Sequence, residues 1–151
     1  MPSGTTSFES GFASGFASTF ASSKPPRVLL VDDNDAMLAR ATAVLEESCL
    51  IVGAVSDGQA ALGAAETLHP DVVVLDISMP GMSGLEVAAR LRDTESTAEI
   101  VFFTVHADIE FVHAAQAAGG IGYVVKMRLA SDLPRAVHEA SAHRPFVSPL
   151  H

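Results

Sequence analysis

Short apolar runs alternate with longer stretches of mixed polarity along most of this chain, from residue 27 to residue 143. A strand with one face in water would alternate apolar and polar residues, whereas these runs are apolar almost throughout. They therefore predict strands that are buried on both faces. The runs are RVLLV (27–31), LIVGAV (50–55), VVVLD (72–76), EIVFFT (99–104) and IGYVVK (121–126).

The stretches between the runs predict helices, because their apolar residues recur with helical spacing. In the first of them, Met37, Leu38, Ala41 and Leu45 share one side. The predicted helices cover about residues 35–48, 58–68, 84–92, 107–118 and 130–142. Strands that alternate with helices in this way predict an α/β fold with one doubly wound, five-stranded parallel sheet and five helices, of the flavodoxin-like kind.

The chain ends differ from this pattern. Residues 7–22 read SFES, GFAS, GFAS and TFAS, and they hold half of the chain's eight phenylalanines. The Ser, Gly and Ala content favours a low-complexity tail, while the period of four favours an arm that orders on a partner or a neighbouring subunit. We expect a tail over residues 1–26, one domain over 27–144 and a C-terminal tail over 145–151.

Composition excludes several classes of function. The formal net charge of −9 argues against direct binding of nucleic acid, because phosphates require a basic surface. Cys49 is the only cysteine, so no internal disulfide is possible, and we expect a buried thiol in a cytoplasmic protein. No apolar run is long enough to span a membrane, and no signal peptide is evident.

Polar residues follow the predicted strands at their carboxyl ends, which is the edge where open α/β sheets bind ligands. They are Asp32, Asp33, Asp76, Thr104 and Lys126. Three carboxylates close together repel one another, and a hard divalent cation such as Mg²⁺ relieves that repulsion. With an ammonium and a hydroxyl beside them, the carboxylates form a receptacle for a phosphoryl group, and Asp76 is the best nucleophile because it directly follows the central strand.

Each of these residues also has a simpler explanation. Asn34 or Asp33 can cap a helix, Thr104 suits any strand, and a lysine can end a strand in solvent. Their joint placement at one edge favours the functional reading.

The sequence resembles a known protein family, the receiver domain of two-component response regulators. The matching stretches are VLLVDDN (28–34), VVVLDISMPGMSGLEV (72–87), FFT (102–104) and GYVVK (122–126). The stretch DISMPGMSGLEVAARLR (76–92) is most similar to the sequences of receivers that precede a helix-turn-helix output domain. The chain stops at His151, before such a domain, so two possibilities stay open: a stand-alone receiver and a shortened product.

The resemblance implies roles for individual residues. Asp76 would accept a phosphoryl group from a sensor histidine kinase or a histidine phosphotransfer protein, with Mg²⁺ required. The metal would be bound by Asp33, Asp76 and the backbone carbonyl of Ser78, with Asp32 assisting through water. Thr104 and Lys126 would bind the phosphoryl group, and the rotamer of Tyr123 would report phosphorylation.

Two residues depart from the family pattern, and two others flank the site. Met127 replaces the usual proline after the lysine, so we expect a trans peptide bond there, since a cis bond without proline costs about 3 kcal/mol. Val105 replaces a small residue and is expected to slow phosphotransfer or restrict donors. Ser78 and His106 resemble positions that tune hydrolysis of the phosphoaspartate, where a histidine would either orient water or shield the bond.

Three functions are distinguished. The first is a phosphorylation-switched signalling module, with a possible homodimer through the face of the fourth helix, fifth strand and fifth helix or through the Phe-rich arm. The second is a receiver-like scaffold for interaction or oligomerisation that no longer switches, which Val105 and Met127 motivate. The third, an acid-dependent phosphohydrolase, is disfavoured because Ser78 stands where such enzymes carry a second aspartate.

Overall fold

The computed structural model describes residues 24–150. Helices and strands alternate through this part of the chain. The strands are β1 (Arg27–Val31), β2 (Leu50–Val55), β3 (Val72–Leu75), β4 (Glu99–Thr104), β5 (Gly120–Val125) and β6 (Phe146–Val147). The helices are α1 (Asp35–Leu45), α2 (Gly58–Leu68), α3 (Gly84–Arg92), α4 (Ile109–Ala117) and α5 (Leu129–Ser141), with a 3-10 turn at Lys126–Arg128 before α5.

All strand pairs are parallel, and the order across the sheet is β2-β1-β3-β4-β5-β6. The first five strands have the flavodoxin-like order, in which the direction of winding reverses between β1 and β3. The predicted α/β fold is therefore confirmed. Because β1 and β3 are neighbours, the residues that follow these two strands are brought side by side at the carboxyl edge of the sheet.

The core has two layers, one on each face of the sheet, because successive strand residues point to opposite faces. Leu29, Val73 and Leu75 pack beneath α2, α3 and α4 on one face. Val28 and Val74 pack with α1 and α5 on the other. Val72–Leu75 is buried at every position, as the continuously apolar run predicted. Cys49 is buried in the second layer, also as predicted.

The helix boundaries follow local capping. The Asn34 side chain accepts a hydrogen bond from the backbone N–H of Met37 and begins α1. That helix ends at Leu45 rather than at residue 48, because the N–H groups of Ser48 and Cys49 both turn back to the Leu45 carbonyl. The predicted extent of 35–48 was thus too long, and the simpler role considered for Asn34 is correct. The other predicted helices agree with the structure to within two residues.

A short sixth strand, which the sequence analysis did not predict, lies within the segment 145–151 that was expected to be a C-terminal tail. Phe146 and Val147 pair with Gly122 and Tyr123 of β5. The run is too short to stand out in sequence, and it forms because α5 returns the chain to the free edge of β5. Residues 24–150 contain no cis peptide bond, as predicted for Met127. Within the described residues, no helix combines the length and apolar character that crossing a bilayer requires.

Candidate functional site

Asp32 and Asp76 lie at the carboxyl ends of adjacent strands, and backbone hydrogen bonds fix both. The N–H of Asp32 donates to the carbonyl of Val55 at 3.1 Å, and the N–H of Asp76 donates to the carbonyl of Val31 at 3.0 Å. Both side chains are buried. Sheet pairing thus continues one residue beyond β1 and β3, which sets the two carboxyl groups next to each other.

Lys126 closes this site from the end of β5. Its Nζ lies 2.6 Å from Oδ2 of Asp32 and 3.0 Å from Oδ2 of Asp76. Only 9% of the lysine is exposed, and its ammonium also stands 5.7 Å from the centre of the Phe103 ring. Buried charges persist only when they are paired, and here one ammonium is shared by two carboxylates. The prediction that these residues converge agrees with the geometry.

The pKa values in this cluster shift in directions that follow from burial and charge. Burial raises the pKa of Asp76, and the hydrogen bond and charge of Lys126 only partly oppose that effect. Burial alone would lower the pKa of Lys126, but the hydrogen bonds and charges of Asp32 and Asp76 raise it above its usual value. The lysine is therefore a fixed positive charge at neutral pH.

The donor set suits a hard cation. One carboxylate oxygen from each of Asp32, Asp33 and Asp76 lies within 4.8 Å of the others, and Asp33 is exposed while the other two are buried. Carboxylate oxygens are ligands that Mg²⁺ prefers, and the ion usually keeps several waters as well. Lys126 neutralises only part of the negative charge that these groups carry when ionised. The residues present thus fit a divalent cation.

Thr104 ends β4 beside this cluster and is fully buried. Its Oγ1 accepts a hydrogen bond from the N–H of His106 at 3.4 Å. It follows Phe103 in the same strand and pairs with Val125, one residue before Lys126. The threonine is therefore tied to the loop after β4 through His106.

Ser78 and His106 form a bridge over the site that the sequence did not reveal. The serine Oγ and the histidine Nε2 are 2.7 Å apart, and they join the loop after β3 to the loop after β4. The imidazole also stacks on Phe111, with ring centres 4.0 Å apart and planes 7° from parallel. Sequence separation hides such a pair, because the two residues are 28 positions apart.

Tyr123 is buried beneath the loop after β4. Its hydroxyl donates a hydrogen bond to the backbone carbonyl of His106 at 2.8 Å. Burial, with a smaller contribution from the charge of Asp108, raises the pKa of the phenol to about 12. The ring is thus held inward in this structure.

The two departures from the family pattern both lie on the surface. Val105 is 66% exposed and Met127 is 89% exposed. Neither side chain fills the core, and each directly follows a predicted site residue in the chain, Thr104 or Lys126.

Gly84 is a site residue that sequence reasoning missed. A Cβ atom at this position would lie 1.9 Å from the backbone oxygen of Asp76, so only glycine fits. Its N–H also donates to the carbonyl of Ile77 at 2.8 Å. The glycine lets α3 begin directly against the loop that carries Asp76, and the Met-Ser-Gly sequence (82–84), whose glycine is the first residue of the helix, was the available signal.

A family model for the response regulator receiver domain matches residues 28–138. The chain belongs to this family. Receiver domains are signalling modules that are phosphorylated on an aspartate by histidine kinases or phosphotransfer proteins, and they typically bind Mg²⁺ at an acidic pocket.

Curated relatives of this receiver are longer proteins. The nitrate/nitrite response regulator protein NarL of Escherichia coli K12 is 34% identical over 129 residues, which are 84% of this chain and 60% of NarL. The positive alginate biosynthesis regulatory protein of Pseudomonas aeruginosa is 39% identical over 117 residues, which are 76% of this chain and 46% of that protein. The chain therefore spans about half the length of the curated relatives it matches.

Solved receiver structures have the same fold. The receiver domain of NarL from Mycobacterium tuberculosis superposes with a TM-score of 0.77 at 30% identity, and the match covers 81% of this chain and all of that one. A LuxR-family response regulator from Aurantimonas gives a TM-score of 0.80 at 30% identity, covering 83% of this chain and 91% of that one.

Proposed function

We propose that this receiver accepts a phosphoryl group on Asp76 from the phosphohistidine of a sensor histidine kinase or a histidine phosphotransfer protein. The observation that carries the proposal is the position of Asp76 between the Lys126 ammonium and two further carboxylates. An isolated buried carboxylate would be costly, and this arrangement gives it both a counter-charge and a place for a cation.

The transfer step follows from the chemistry of the acceptor. A carboxylate oxygen of Asp76 attacks phosphorus, the P–N bond of the phosphohistidine breaks, and the released imidazole takes up a proton. The product is an acyl phosphate on Asp76. The charge that develops on the phosphoryl oxygens is met by Lys126 and by the hydroxyl of Thr104.

A magnesium ion would be held by Asp33, Asp76 and the backbone carbonyl of Ser78, with Asp32 acting through water. When bound, it supplies positive charge to the phosphoryl oxygens and relieves the repulsion among the carboxylates. Asp32 contributes a second function from the protein side, since it orients the Lys126 ammonium at 2.6 Å.

The proposal is tested with a small phosphodonor such as acetyl phosphate. Wild-type protein incubated with the donor and Mg²⁺ should gain the mass of a single phosphate, which is stable in acid and labile in base. Asp76→Asn should gain none, and Asp93→Asn, at an exposed position outside the site, should behave as wild type. An unmodified wild type under conditions where magnesium binding is demonstrated would refute the proposal.

A receiver-like scaffold that does not switch is the second candidate, and one observation favours it. Val105 and Met127 depart from the receiver pattern directly after Thr104 and Lys126, and both side chains are exposed, so they alter the surroundings of the two residues that would bind the phosphoryl group. Beryllofluoride, which mimics the phosphoryl group, separates the two candidates. A shift in oligomeric state on its addition, seen by light scattering, supports the switch, and an unchanged state supports the scaffold.

For a phosphorylation-dependent homodimer we propose the face formed by α4, β5 and α5. The short β6 strand occupies the edge of β5 on this face, and Val147 leaves 41% of its surface exposed there. Self-association would therefore use β6 and the flanking helices, since the edge of β5 is already paired. The alternative dimer contact, the Phe-rich arm, lies outside the described residues.

A further inference from the structure

A groove lies between α2 and α3 at the end of the sheet opposite to Asp76. It has a volume of about 800 Å³ and is open to solvent along one side. Its floor is apolar and includes Leu62, Ala65, Pro70 and Leu91. Gly63 faces it without any atom within 4 Å of where a Cβ would stand, so α2 presents no side chain at the point where one would fill the groove.

The N-terminal end of β1 lies beside this groove. The N–H of Arg27 donates to Oδ2 of Asp71 at 2.9 Å, and the N–H of Asp71 donates to the carbonyl of Arg27 at 2.8 Å. Asp71 is itself part of the groove wall. The guanidinium of Arg27 also donates to the carbonyl of Leu68 at the end of α2. The chain that precedes Arg27 is therefore attached directly beside the groove.

We infer that the groove is the docking site for the chain's own N-terminal segment, residues 1–23, through Phe16 and Phe20. An extended chain covers about 3.3–3.6 Å per residue, so the seven residues from Phe20 to Arg27 reach about 23–25 Å. The eleven residues of α2 extend only about 16 Å. Both rings can thus reach any part of the apolar floor.

Chemistry favours this occupant over an acidic partner. The rim of the groove carries Glu66, Asp71 and Glu95 with one arginine, Arg90, so it repels acidic segments. Glu9 is the only side chain with a formal charge in residues 1–23, so the segment meets little repulsion. Phenylalanine side chains each bury a large apolar area, and an apolar floor with a polar rim is the arrangement that receives them.

A single tryptophan tests the inference, because the chain has none of its own. In the full-length chain, Phe20→Trp should emit at a shorter wavelength than free tryptophan and should be quenched several-fold less by acrylamide. Adding Gly63→Glu, which places a charged side chain in the groove, should return the emission and the quenching to those of an exposed tryptophan. Ala43→Glu adds the same charge at an exposed position on α1, across the sheet from the groove, and should change neither.

Three results would overturn the inference. The first is an exposed tryptophan in Phe20→Trp alone. The second is a buried tryptophan that Gly63→Glu leaves unchanged. The third is burial that disappears on dilution, since the segment would then occupy a second copy of the chain rather than its own groove. None of these outcomes bears on phosphorylation of Asp76, because the groove lies at the other end of the strands.

Discussion

The hydroxyl of Tyr123 donates a hydrogen bond of 2.8 Å to the backbone carbonyl of His106, two residues beyond Thr104. The contact links β5 to the loop after β4, which also holds the hydroxyl of Thr104 through the N–H of His106. Thr104 and Tyr123 thus both form hydrogen bonds with the backbone of His106. This short connection makes Tyr123 the natural probe of the site.

Tyr123 should titrate far above an ordinary tyrosine. It is the only tyrosine, so the phenolate absorbance of the folded chain reports on it alone, and the midpoint should be about 12. An acid whose pKa is raised on folding stabilises the fold below its unfolded pKa, about 10 for a phenol, and that stability is lost as the pH rises toward 12. A rapid pH jump, read before unfolding, gives the midpoint. A value near that of free tyrosine would show that the ring is outward in solution.

Removing that hydroxyl should destabilise the fold modestly. Tyr123→Phe leaves the His106 carbonyl without its partner, and a net loss of about 1 kcal/mol in the free energy of unfolding is expected from urea denaturation. Phe111→Leu is the comparison, because it removes the ring stacked on His106 but leaves the hydrogen bond in place. Only Tyr123→Phe should also abolish the high-pH loss of stability.

Ser78 and His106 should protect the phosphoaspartate. The Nε2 atom of His106 is engaged by the serine, and its ring is held on Phe111, so the imidazole is better placed to shield the bond than to aim a water. Ser78→Ala and His106→Ala should each shorten the lifetime of the phosphorylated state several-fold, measured by intact mass after the donor is removed. The exposed Ser131→Ala should leave it unchanged. Longer lifetimes in both site variants would assign His106 to the activation of water.

The sequence predicted those parts of this protein that depend on local patterns. The continuous apolar run at Val72–Leu75 predicted a buried strand. The aspartates after β1 and β3 predicted the site, because parallel strands end at the same edge of the sheet. The Ser78–His106 bridge depends on the path of two loops, which no local pattern encodes. The β6 strand, Phe146–Val147, has only two residues and arises from tertiary pairing with β5.

Asp76→Asn should stabilise the protein in the absence of metal. Burial raises the pKa of Asp76, so its contribution to stability is present below the ordinary carboxyl pKa and is lost as the pH rises through the raised value. An ionised Asp76 carries a cost of burial that an amide avoids, and Asp32 still pairs with Lys126 at 2.6 Å in the variant, so the amide should raise the urea midpoint. Glu47→Gln removes the same charge at an exposed position and should have little effect.

Magnesium should reverse the order of stability of wild type and Asp76→Asn. A cation that binds only the native state stabilises it by mass action, so millimolar Mg²⁺ should raise the midpoint of wild type, and chelation should remove the gain. Asp76→Asn and Asp33→Asn should gain much less, because each removes one of the clustered carboxylates. An equal gain in all three proteins would place the bound magnesium elsewhere on the chain.

The C-terminal strand should be held in place by one buried carboxylate, that of Asp132. Its Oδ2 accepts hydrogen bonds from the Ser148 hydroxyl at 2.7 Å and from Nε of Arg128 at 2.6 Å. The Ser148 hydroxyl in turn accepts one from the N–H of Val125 at 3.2 Å. Asp132→Ala should lower the free energy of unfolding by about 1.5–3 kcal/mol, as expected for hydrogen bonds to a charged group. It should also speed amide exchange at Val125, and Ser148→Ala should do so with a smaller loss of stability.

Low pH should weaken the hydrogen bonds by which Asp132 holds the C-terminal strand β6. Although burial opposes it, the hydrogen bonds from Arg128, Ser148 and Ser131 lower the pKa of Asp132. A carboxyl whose pKa is lowered on folding stabilises the fold above its unfolded pKa, and that stability is lost as the pH falls through the lowered value. In wild type, exchange at Val125 should therefore accelerate below the ordinary carboxyl range relative to Val74 in the central strand β3. The Asp132→Ala variant should lack this pH-dependent difference, and its persistence there would mean that another group holds the strand.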